Sequence, residues 1–96
     1  MNTKKIRIFL GEKNDSKRIF ETIRMALGIT LKGNIVELYI SKDVKIDELE
    51  KEKREEIDEF LQALTYMGGK YEFVENIKSI INQKVIEKGI HDILVL

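Results

Sequence analysis

Apolar and polar positions change period several times along the chain, and each change marks an element. Ile6, Ile8 and Leu10 flank Arg7 and Phe9 in a β-forming run that ends at Gly11, so Lys5 to Leu10 reads as a strand. Polar Glu12 to Lys17 follows, with Asn14, Asp15 and Ser16 all good helix caps. Ile19, Phe20, Ile23, Ala26, Leu27 and Leu31 then recur at helical spacing, which predicts a helix from about Ser16 towards Lys32, stopped at Gly33. Ile35 to Ile40 is nearly continuous in apolar and β-forming residues, the pattern of a strand covered on both faces.

Asp47 and Glu50 stand at capping-box spacing before a long, charge-rich helix whose stripe is Leu49, Ile57, Phe60, Leu61 and Leu64, stopped at Gly68-Gly69. Tyr71 and Phe73 alternate with polar neighbours in a third strand, Lys70 to Val74, less covered than the second. Asn76 caps a third helix, Ile77 to Lys88, with Ile77, Ile80, Ile81 and Val85 as its stripe before Gly89. Asp92 to Leu96 closes the chain as a fourth strand. Ile19, Ile23, Ile57, Leu61 and Ile80 are the expected core.

This β-α-β-α-β-α-β order predicts an α/β three-layer sandwich around a four-stranded parallel sheet, with right-handed crossovers. A doubly wound strand order of 2-1-3-4 is expected, placing the first helix on one face and the other two opposite. The 96 residues fit one domain, 1–96.

Composition narrows the chemistry. Seventeen basic and seventeen acidic residues cancel, which removes any general attraction to nucleic acid or an anionic membrane. The longest uncharged stretch, Phe60 to Gly69, is ten residues, about half a membrane span. The opening segment carries Arg7 within a short apolar run and reads as a strand rather than a signal peptide, so the expected location is cytoplasmic. Abundant Ile, Lys and Glu hint at a thermophilic source. The absence of Cys excludes disulfides, thiolate nucleophiles and persulfide carriage.

The stretch from Ala26 through Gly28, Gly33 and Ile35–Ile40 to Asp43-Val44 resembles the DsrE/DsrF-like family, in which an Ala- and Leu-rich helix leads through glycine into a strand ending near Asp and Val. The later helix, the turn at Gly68-Gly69, the strand at Tyr71 to Val74 and the apolar terminal strand are also similar. The resemblance implies a three-layer domain that forms trimers or hexamers, in a family where some members relay persulfide sulfur. The relay cysteine would fall near Glu75 or Asn76, and neither can carry sulfur.

Candidate chemistry gathers at the carboxyl ends of the strands, where open parallel sheets form their crevice. Gly11 permits close backbone approach, Lys13 adds positive charge, and Asn14, Ser16, Ser41 and Asn76 supply hydrogen bonds beside the first helix's N-terminus. Glu12 and Asp15 oppose an anion, and capping alone accounts for Asn14, Asp15 and Ser16. Glu12 and Asp43 are a possible carboxylate pair for Mg²⁺, but no adjacent acidic pair follows strand one and no lysine-bearing fifth strand exists, so no metal or other cofactor is implied. His91 falls just before the last strand, at the opposite edge.

The run Asp47 to Glu59 holds eight acids and three bases, and reads as a solvated helix supported by the pairs Asp47 with Lys51 and Glu50 with Arg54. The combined reading is a non-catalytic, DsrE-like interaction or assembly subunit that forms a homo-oligomer. The alternative is a small-ligand or anion-binding module at the sheet's carboxyl edge. An enzyme ranks third.

Overall fold

A computed structural model describes residues 4–83 and 90–96. The chain forms β1 (Lys5–Leu10), α1 (Ser16–Leu31), β2 (Ile35–Ser41), a short 3₁₀ turn (Ile46–Glu48), α2 (Lys51–Tyr66), β3 (Lys70–Val74), α3 (Ile77–Gln83) and β4 (Ile90–Val95). The four strands make one parallel sheet, so the expected α/β class holds. The continuation of the third helix through Val85 to Lys88 and Gly89 lies outside the described residues.

The strand order is 3-2-1-4, which corrects the expected 2-1-3-4. Interior places go to the strands that are buried on both faces: Ile8, Phe9, Leu10, Val36, Leu38, Tyr39 and Ile40 are all buried. β3, with alternating Tyr71 and Phe73 half-exposed, takes an edge. With right-handed crossovers, the two steps from β1 to β3 run in one direction and the return to β4 runs back. Hence α1 and α2 share one face, and α3 lies on the other.

On the first face Ile8, Leu10, Val36, Leu38 and Ile40 pack against Ile19, Ile23 and Ala26 of α1 and Ile57, Leu61 and Leu64 of α2. Phe20 meets Phe60 across the two helices at 5.7 Å. The second face is smaller, with Phe9 and Tyr39 stacked at 5.3 Å beside Val74 and Ile77. Of the expected core residues, Ile19, Ile23, Ile57 and Leu61 are buried, and Ile80 is half-buried against the second cluster.

Two boundaries differ from expectation. The Asp47–Glu50 capping box does not form, because Leu49 turns extended (ψ 155°) to bury itself in the core and α2 starts only at Lys51. Neither Asp47 with Lys51 nor Glu50 with Arg54 forms an ion pair among the described residues. β4 begins at Ile90 rather than Asp92, which places His91 inside the strand, exposed and opposite Ile6. The α2–β3 turn needs both of its glycines: Gly68 has φ 95°, and a Cβ on Gly69 would sit 2.8 Å from Leu64 and 2.9 Å from the Val36 carbonyl.

Candidate functional site

Reversal of winding between β1 and β4 leaves a crevice at the carboxyl edge, as open α/β sheets do at their switch point. A cleft of about 420 Å³ opens there, lined by the β1–α1 loop (Gly11, Glu12, Lys13), Asp43 after β2, the entry to α3 (Glu75 to Lys78) and Leu96. Gly11 is required by close packing, since a Cβ there would come within 3.3 Å of Leu96. Its N–H donates to the Val95 carbonyl at 2.8 Å.

Of the six residues singled out from sequence, Gly11, Lys13 and Asn76 line this cleft and three do not. Asn14 is a clamp: its side-chain amide donates to the carbonyls of Gly11 and Val95, both at 2.8 Å, tying the first loop to the end of β4. Ser41 is buried and its Oγ accepts from the Asp43 N–H, shaping the turn after β2. Ser16 is the exposed first residue of α1, whose cap is Asp15 accepting from Arg18 N–H at 2.8 Å. Asn76 lines the cleft and also caps α3 through the Ser79 N–H.

The lining mixes three carboxylates (Glu12, Asp43, Glu75) with two lysines (Lys13, Lys78), and Glu75 is bridged by Lys42 at 3.3 Å. Glu12 and Asp43 share the cleft, yet no group of three or more acidic or His side chains is arranged for a metal among the described residues. The cleft offers hydrogen bonds and charges of both signs. Among the described residues lining it there is no Ser, Thr, Cys or His.

Sequence reasoning passed over a second polar cluster, on the α3 face towards the amino end of the sheet. Arg7 is buried there and grips Asp92 of β4 with two parallel hydrogen bonds, 2.6 Å from Nε and 2.9 Å from Nη2. On the other side of Arg7, Glu37 receives Lys5 Nζ at 2.7 Å and the Tyr39 hydroxyl at 2.7 Å. Burial pushes the Tyr39 phenol well above its ordinary pKa, and donation to Glu37 adds to the shift. For Glu37 burial pushes upward, but the hydrogen bonds from Lys5 and Tyr39 prevail and hold the carboxyl below its usual value. The signal for this cluster is Arg7 itself, a charge at the centre of an apolar strand.

A third feature is the free side of β4. Among the described residues its only neighbouring strand is β1, and Leu94 and Leu96 are 53% and 48% exposed. Met25, Arg18 and Glu21 of α1 border the same groove as Ile93 to Val95. No helix among the described residues is long and apolar enough to cross a membrane. Compared with family models, curated proteins and solved structures, the chain finds no significant match.

Proposed function

We propose that the chain is a non-catalytic interaction subunit that assembles with copies of itself, the role its resemblance to DsrE-like proteins implies. The observation that carries this reading is the β4 edge, which no strand covers among the described residues, with its exposed leucines. An apolar edge strand is a template for pairing, and natural proteins cover, charge or shorten such edges when they remain monomeric. Here the one acid on the strand, Asp92, is paired with Arg7 through two hydrogen bonds, which offsets its charge. Light scattering behind size exclusion tests the reading. A multiple of 11.2 kDa at micromolar concentration is expected, and one-chain mass throughout a dilution series would refute it.

The cleft favours a second reading, a small-ligand module at the carboxyl edge. Its volume lies within the usual range for ligand pockets, roughly 300–1,000 Å³. With carboxylates outnumbering lysines, a zwitterionic or neutral polar molecule suits the lining better than a strong anion. Amide shifts followed during titration with free amino acids and sugars, beside nucleotides, phosphate and sulfite, separate the cases. Shifts at Gly11 to Lys13, Asp43 and Glu75 to Lys78 support the module, and an unmoved spectrum counts against it.

A further inference from the structure

We propose that β4 pairs antiparallel with β4 of a second copy, making one continuous eight-stranded sheet about a twofold axis that passes through Leu94 perpendicular to the sheet. This rests on the self-association reading above and specifies its surface and register.

The direction of the free hydrogen-bonding groups follows from the β1–β4 pairing. In a strand, the N–H and C=O of one residue point to the same side, and successive residues alternate. The Val95 carbonyl accepts from Gly11 on the β1 side, so Val95, Ile93 and His91 face β1. Asp92 and Leu94 therefore direct their main-chain groups outward, where no neighbouring strand is present among the described residues.

Symmetry then limits the register. A twofold perpendicular to the sheet sets the α1 and α2 face of one copy beside the same face of the other. Directly opposed residues point to one face, so the axis must pass through a residue and not between two. An axis at Asp92 would set two carboxylates against each other, a destabilising cross-strand pair. An axis at Ile93 would place each Leu94 opposite an aspartate. An axis at Leu94 joins like with like: the two Leu94 side chains meet on the α3 face, and Ile93 meets the partner's Val95 on the other.

In that register the two Leu94 residues exchange both main-chain hydrogen bonds, and each Asp92 does so with the partner's Leu96. Met25, with Arg18 and Glu21, flanks the seam on α1 and extends the buried surface beyond the strand edge.

The chain contains no Cys, so a single introduced thiol reports one contact. Opposed residues of a hydrogen-bonded antiparallel pair stand about 5.5 Å apart at Cα, within disulfide reach. Leu94→Cys should crosslink under mild oxidation about tenfold or more faster than Leu31→Cys, a thiol on an exposed site of α1, because pairing raises its effective concentration. Wild-type mass by light scattering is measured beside it. A dimer in which Ile93→Cys crosslinks and Leu94→Cys does not would overturn the register. A dimer in which Leu31→Cys is faster would overturn the surface and leave self-association standing. One-chain mass at every concentration would overturn both.

Discussion

The two faces of the sheet solve the same covering problem with different materials. Against α1 and α2, sixteen residues each, the sheet presents an aliphatic layer of Ile8, Leu10, Val36, Leu38 and Ile40. Against α3, seven described residues long, it presents Phe9 and Tyr39 near the carboxyl end and Lys5, Arg7, Glu37 and Asp92 towards the amino end. A long amphipathic helix removes water along a whole strand, so no side chain beneath it needs a polar partner. The described part of α3 packs against the Phe9 and Tyr39 end, and towards the amino end the described side chains are charges that satisfy one another.

The sharpest break of this contrast is a cavity in the aliphatic layer. Ile8 is fully buried among the α1 and α2 side chains. Ile8→Ala should cost about 2–5 kcal/mol, because the helices above it relax only partly into the space. Denaturant unfolding measures it. A cost below about 1 kcal/mol would mean that this face is loosely packed.

The ion pair comes next. Asp92→Asn keeps the shape but removes the negative charge held by Arg7, and should cost about 1–3 kcal/mol, tempered because the Asp92 side chain is one-third exposed. Arg7→Met combined with Asp92→Leu should recover most of that loss, since apolar replacement of a buried pair is often neutral. A double variant no better than the single would show that the charges also position other parts of the face. Comparing the unfolding free energies of both variants with wild type decides between them.

How much of this was legible in sequence depends on whether a residue's neighbours are close in the chain. The element order, the two-sided burial of Ile35 to Ile40 and the stripes of α1 and α2 follow from local periodicity. Strand order does not, because it depends on which strands meet in space, and the alternation at Tyr71 and Phe73 says only that β3 is less covered than β2. The capping box at Asp47 failed because a tertiary demand, burial of Leu49, outweighed a local hydrogen bond. At the carboxyl edge, the loops were placed correctly, but Asn14 and Ser41 proved to brace the turns around the cleft. The bond from Asn14 to Val95 spans 81 residues, and the Arg7–Asp92 pair spans 85, distances over which spacing carries no information.

Acid distinguishes the faces without a destabilising mutation. Glu37 is held below its ordinary pKa in the folded state, so its contribution is present above the unfolded value near 4.5 and is lost as the pH falls through the lowered folded value. The aliphatic layer has no such dependence. Glu37→Gln should therefore flatten part of the acid limb of stability against pH while changing little in the slope above pH 6. An acid limb identical to wild type would show that Glu37 is not held more firmly in the folded chain than in the unfolded one.

The smallest expected effect uses the same residue type in the opposite setting. Glu52, in the first turn of α2, is exposed, and no ion pair reaches it among the described residues. Its charge gains a little from the helix N-terminus and is otherwise solvated as well folded as unfolded. Glu52→Ala should change stability by no more than about 0.5 kcal/mol, since the better helix propensity of alanine offsets the lost charge–dipole attraction. If thermal unfolding instead reveals a loss comparable to that of Asp92→Asn, the acidic run of α2 is engaged in a contact of its own. Charge would then matter on both sides of the molecule, and the contrast between a dry face and an ionic one would no longer explain where this chain keeps its buried polar groups.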